Sequence, residues 1–159
     1  MRWYRLAADQ GHARAQASIA DMYLNGDGVP QDDAEAVRWY RLAADQGEAS
    51  GQYGLGYMYG VGQGVPQDDA AAVQWMRLAA DQGEARAQYQ LGFMYMDGRG
   101  VPQDDVIAHM WLNLGASRLR GDMRDQAVEA RDQIARRMTA DQRADAQRRD
   151  REWKPVFER

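Results

Sequence analysis

Three kinds of side-chain grouping in this chain could carry chemistry. Adjacent carboxylates occur at Asp32-Asp33, Asp68-Asp69 and Asp104-Asp105, and a carboxylate pair can divide general-acid from general-base work or hold a cation. The run Gly60-Val61-Gly62-Gln63-Gly64 has the glycine density of a phosphate cradle. Histidine stands at positions 12 and 109, and serine at 18, 50 and 117.

Each grouping has a plainer reading. The acid pairs recur at 36-residue intervals, always after Val-Pro-Gln; a catalytic pair is needed once, so recurrence marks them as helix N-caps. The glycine run follows a helical pattern and lacks the phosphate-loop lysine, which makes it a helix stop. His109 replaces Val37 and Val73 on a packing helix and is expected as a satisfied or partly exposed ring; no second histidine joins it or His12 to hold a metal. No serine lies in a nucleophile elbow, and the absence of cysteine removes thiolate nucleophiles and thiolate metal sites. The chain therefore reads as non-enzymatic, with no catalytic residue, metal or cofactor.

The elements that carry these groups form an array. Val29-Pro30-Gln31-Asp32-Asp33 returns at 65–69 and 101–105, and Arg41-Leu42-Ala43-Ala44-Asp45-Gln46-Gly47 returns at 77–83 and, one half-unit earlier, at 5–11. A fixed period of 36 residues is the signature of stacked helix pairs. The expected organisation is an array over 1–119, made of a half-repeat at 1–11 and repeats at 12–47, 48–83 and 84–119. A two-helix C-terminal cap over 120–159 follows.

Within a repeat, Gln52, Leu55, Gly56 and Tyr59 fall on one helical face. The glycine run ends that helix, and Asp68 or Asp69 caps the next; Asp32 with Glu35 has the spacing of a capping box. In the tail, Met123, Ala127, Ala130, Ile134 and Met138 make a narrow apolar stripe, and Thr139 with Gln142 opens a last helix by a second box. Pro155 stops that helix, after which Val156 and Phe157 fold back or fray. The opening half-repeat leaves Trp3, Tyr4 and Leu6 without a preceding helix, which predicts a sticky face suited to a homodimer, or fraying there.

Charge narrows the partners. Residues 1–117 hold 8 basic and 15 acidic side chains (−7), and residues 118–159 hold 12 and 9 (+3), together the net −4. An acidic body repels phosphate, so a nucleic-acid partner is not expected. No apolar run approaches the roughly 18 residues of a membrane span. Met1 to Leu6 lacks signal-peptide features, which makes the cytoplasm the default compartment, and the periplasm or exterior the compartment if a signal peptide lies upstream.

At Leu55-Gly56, Met58-Tyr59, Gly62, Gly64-Val65, Asp68, Ala72, Trp75 and Ala79-Ala80 the unit resembles a Sel-one-like repeat, a relative of the tetratricopeptide repeat. The match recurs from Leu91-Gly92 to Trp111, while repeat one carries Ile19-Ala20 in place of leucine-glycine; the tail is similar to the ending of many bacterial members. The resemblance implies an all-α fold, a right-handed α/α superhelix or solenoid of 36-residue helix-turn-helix repeats. It also implies an adaptor that binds a protein or peptide on the concave face, lined by the first helix of each pair. A cell-envelope component binding a polysaccharide or peptidoglycan fragment is the alternative.

Counting about 100° per residue, the first-helix positions opposite the packing face are Asp21, Tyr57 and Phe93. Tyr53, Tyr89 and Met96 flank them, and Arg14 and Arg86 lie near the rim. Either the aromatic residues form one binding wall, or Tyr53 and Tyr89 are partly buried between repeats; the arginines either clamp an acidic group or are simply solvated.

Overall fold

The computed structural model describes residues 2–156, so Phe157 lies outside it, and Val156 is exposed. Among the described residues there are nine helices and no strand: α1 (Arg2–Asp9), α2 (Ala13–Asn25), α3 (Asp33–Asp45), α4 (Ala49–Val61), α5 (Asp69–Asp81), α6 (Ala85–Asp97), α7 (Asp105–Arg118), α8 (Gly121–Arg137) and α9 (Ala140–Glu152).

Local chemistry sets the ends of these helices. The side chains of Asp32, Asp68 and Asp104 accept the backbone N–H of Glu35, Ala71 and Ile107 at 3.0, 2.9 and 3.0 Å. The first aspartate of each pair is therefore the cap. The reciprocal half of the box expected at Asp32 and Glu35 does not form. The Asp32 N–H donates instead to the Tyr23 carbonyl at 3.0 Å, and the Glu35 carboxylate takes Arg38 at 2.9 Å. The same backbone tie runs from Asp68 to Tyr59 and from Asp104 to Tyr95, each 3.0 Å, so every cap is stitched to the helix before it. A complete box does close between Thr139 and Gln142. Helices α2, α4 and α6 stop at Gly26, Gly62 and Gly98, whose φ of 74, 70 and 69° is left-handed and whose N–H returns to a methionine carbonyl.

The chain divides into two compact units, Met1–Ala79 and Ala80–Arg159. In the first, α1 packs on α2, α2 on α3 and α4, and α3 on α4, around Ile19, Ala36, Tyr40, Ala44, Leu55 and Met58. Close approach explains its helical glycines. A Cβ at Gly51 would lie 2.6 Å from that of Ala43, and one at Gly54 would lie 2.3 Å from the Tyr40 ring. Both would collide with a neighbour already in place.

In the second unit, α6 packs on α7 and α8, and α7 packs on α8 and α9. A Cβ at Gly92 would come within 2.6 Å of Leu112. Ala127, Ala130, Ile134 and Met138 are buried, and Met123 half-buried, as the apolar stripe on α8 predicts.

A buried glutamine recurs in both units. Gln16, Gln52 and Gln88 send their amide N–H to the carbonyls of Ala8, Ala44 and Ala80 at 3.2, 3.5 and 3.1 Å. Each joins a first helix to the second helix before it, where a buried backbone acceptor near the helix end would otherwise lack a partner.

Candidate interaction surface

On α6, Tyr89 and Phe93 are successive residues of one helical face, and both are half-buried. Their ring centroids lie 4.9 Å apart at an interplanar angle of 58°, a tilted arrangement that aromatic quadrupoles favour. The Tyr89 hydroxyl meets the Gln126 amide oxygen on α8 at 2.7 Å, and burial raises the phenol pKa. Tyr89, Phe93, Gln126, Glu129, Ala130 and Gln133 line a groove of about 300 Å³ between α6 and α8. An aromatic wall faces a polar one, with Glu129 supplying the charge. Such a groove can take an apolar side chain on the rings, and amide or cationic groups on the opposite wall.

The other expected surface residues fall as follows. Met96 is half-buried on the last turn of α6. Tyr53 and Tyr57 are half-buried on α4 in the first unit, and Tyr57 packs in part against that unit's core. Asp21 is exposed, and its carboxylate accepts the Tyr40 hydroxyl. Arg14 is exposed beside a groove of about 630 Å³ that Trp3, Tyr4, Ala7, His12, Ala15 and Ser18 also line. Arg86 is exposed, but its side chain pairs with Glu84 at 3.2 Å. Clamping an acidic ligand would have to compete with that pair.

Gln126 and Glu129 were not legible as site residues. Helix α8 lacks the 36-residue signature, and only its apolar stripe was readable. The one available signal is register: Gln126 lies 37 residues after Tyr89, close to one repeat on.

The recurrent carboxylates resolve into two jobs, of which the sequence showed one. The first aspartate caps. The second ties its helix to the pair that follows: Asp33 accepts from Gln63 at 3.0 Å, and Asp105 is held by Arg137, with Nε to Oδ2 at 2.8 Å.

The histidines depart from expectation in one respect. His12 is exposed at the N-cap of α2 and makes no side-chain cap bond. His109 is buried, at 9% exposure, and its Nδ1 has no hydrogen-bond partner, so the ring is not satisfied. Valine stands at this position in the other two repeats, and here the imidazole is buried with no acceptor at Nδ1. Burial lowers the His109 pKa; Arg131 lowers it further, while Asp150 and Asp132 oppose the shift. Among the described residues, no three histidine or acidic side chains gather into a metal site.

Comparison with known proteins accords with this repeat architecture. The family model described as Sel1 repeat matches residues 1–12, 13–48, 49–84 and 85–118. The chain is similar to the crystal structure of a Sel1 repeat protein from Oxalobacter formigenes, at 39% identity and a TM-score of 0.69, over 79% of this chain and 95% of that one. It is also similar to a protective antigen of uropathogenic Escherichia coli strains displaying an SLR fold, at 30% identity and a TM-score of 0.71, over 99% of this chain and 41% of that one. A shorter likeness, 54% identical over 33 residues, is to an exopolysaccharide production negative regulator of Rhizobium leguminosarum bv. viciae; it covers 21% of this chain and 12% of the relative.

Proposed function

This chain belongs to the Sel1 repeat family, all-helical solenoids that generally act as non-enzymatic protein-interaction scaffolds, and on that premise we propose that it binds an extended peptide segment of a partner protein along its first-helix faces. The observation that carries the proposal is the α6–α8 groove, where the Tyr89–Phe93 pair stands opposite Gln126, Glu129 and Gln133. The rings offer rigid apolar area at small entropic cost, and the amides can bond the backbone of an extended chain. In the first unit, Tyr53 and Tyr57 occupy the registers of Tyr89 and Phe93. Asp21, engaged with Tyr40, marks where this aromatic character stops.

The test is a peptide selected from a random library on the immobilised wild-type chain, then titrated against variants by calorimetry. Phe93→Ala should weaken it about tenfold or more, as loss of a buried aromatic anchor does, and Tyr57→Ala should weaken it less. Affinity unchanged in Phe93→Ala would sink the groove assignment. Glycan-array binding that depends on the same rings would favour the envelope-polysaccharide reading instead.

A further inference from the structure

The α6–α8 groove carries a single charge on its lining, that of Glu129. Its carboxylate is exposed and, among the described residues, engaged in no hydrogen bond or ion pair. The basic side chains around it are occupied. Arg86, one turn before Tyr89 on α6, pairs with Glu84 at 3.2 Å. On α8, Arg131 holds Asn113 and Asp132, each at 2.8 Å, and Arg137 holds Asp105. Arg136 is exposed, but it stands one turn past Gln133, outside the lining. Asp122, one turn before Gln126, and Asp97, one turn after Phe93, are exposed acids that deepen the negative field.

Rings elsewhere in the chain are covered by its own arginines. The guanidinium of Arg5 lies 5.8 Å from the Trp39 ring centre, and that of Arg41 lies 5.7 Å from Tyr59. Arg118 lies 5.3 Å from Trp153, which in turn meets the edge of Trp111 with centroids 6.2 Å apart. Among the described residues, no arginine or lysine covers Tyr89 or Phe93. The neighbouring amide is half used: the Gln126 oxygen takes the Tyr89 hydroxyl at 2.7 Å, which leaves its N–H to donate to a carbonyl.

We propose that the groove selects an arginine of the partner peptide, with its methylene stem on Tyr89 and Phe93 and its guanidinium on the Glu129 carboxylate. The peptide carbonyl beside it takes the Gln126 N–H. This rests on the reading of the groove as a peptide site and adds what the peptide must carry. Arginine answers both walls, because its stem covers apolar area while its weakly hydrated, planar head stacks on a ring and can meet a carboxylate with two parallel bonds. Lysine has the charge without the plane. A wholly apolar side chain would use the rings alone and would strip water from an unpaired carboxylate, which costs free energy. The groove's volume of about 300 Å³ equals about ten water molecules, room for one long side chain.

The experiment sorts a random peptide library on the immobilised full chain, first wild type and then Glu129→Gln. Glu129 is exposed and unpaired, so that variant should fold. Arginine should be enriched at one position of the peptides recovered on wild type, and the enrichment should vanish on Glu129→Gln. The tightest peptide is then titrated by calorimetry. Replacing its arginine with citrulline, which keeps the shape and removes the charge, should weaken binding to wild type about tenfold; replacing it with lysine should weaken it less. Glu129→Gln should bind the arginine and citrulline peptides about equally, a coupling that a merely structural role of Glu129 would not produce. Added salt should weaken the arginine peptide and spare the citrulline one. Peptides that depend on Phe93 yet show no preference for arginine would overturn this inference and leave peptide binding at the groove standing. Arginine peptides that Glu129→Gln binds as tightly as wild type would overturn it as well. Recovery of no peptide whose binding falls in Phe93→Ala would overturn both readings together.

Discussion

The junction between helix pairs in the first unit and the junction closing the second are built from the same registers with different chemistry. At the end of α3, Gln46 donates to the Gln16 side chain at 2.7 Å, so the buried Gln16 amide both gives and receives. At the end of α7 the same register is Arg118, which turns to the Gly83 carbonyl and the Trp153 ring. The Gln88 side-chain oxygen is left buried without a partner. The inner junction satisfies its amides by repetition, whereas the closing junction gives up one hydrogen bond and gains an aromatic lock. The backbone changes with the side chains: α3 stops at Asp45 and turns through Gly47 at a φ of 84°, whereas α7 runs to Arg118 and leaves through an extended Leu119.

The sharpest way to break the inner junction is Gly64→Ala. Gly64 has a φ of +70°, and a Cβ there would lie 2.4 Å from the Asp33 carbonyl oxygen, so the loop after α4 could not rest on the start of α3. Gly28, one repeat earlier, has a φ of +73° but only the Met22 side-chain end nearby, at 3.8 Å. Both substitutions incur backbone strain of about 1 kcal/mol or more, but only Gly64→Ala adds a collision with backbone, for a total of about 3 kcal/mol. Urea denaturation of both variants measures the difference. Equal losses would show that the inner junction does not depend on this approach.

The closing junction breaks at Trp153. Removing it uncovers Trp111 and leaves Arg118 without its ring, which should cost about 2–3 kcal/mol for a side chain that is only partly buried. The loss should appear as earlier unfolding of α8 and α9 in hydrogen exchange, with α2 to α4 unaffected. Uniform loss of protection would mean that the two junctions are not energetically distinct.

The sequence held the inner junction more openly than the closing one. The 36-residue period, the aspartate caps, the glycine stops and the stripe on α8 are local patterns, each decided within a few residues by backbone chemistry. What stayed hidden needs two residues far apart to be read together. Asp33 meets Gln63 thirty residues on, and Tyr89 meets Gln126 across 37 residues. Gln52 was legible only as a member of a packing face, because its acceptor, like those of Gln16 and Gln88, is a backbone carbonyl, which no side chain announces. The aromatic positions were legible by helical geometry, but not the half-burial that Tyr57 gains from its own core.

His109 gives the smallest and most specific test, since it is the closing junction's replacement for the valine of the inner ones. Its imidazole is buried with Nδ1 unpartnered, and burial is the first cause of its lowered pKa. The folded state therefore prefers the neutral ring, and the unfolded chain binds the proton more readily. Stability linked to this group is fully present above the unfolded value, about 6.5, and falls as the pH drops below it. Three charged neighbours, Arg131, Asp132 and Asp150, act on the ring from α8 and α9; the two acids soften the loss without reversing it. The urea midpoint of the wild type should accordingly fall between pH 7.5 and 5.5. His109→Val, which restores the residue of the inner repeats, should flatten that slope and raise the midpoint modestly at neutral pH, because a buried unpaired nitrogen is removed. An unchanged slope in His109→Val would assign the pH dependence to the surrounding carboxylates and leave the closing junction without a titrating group.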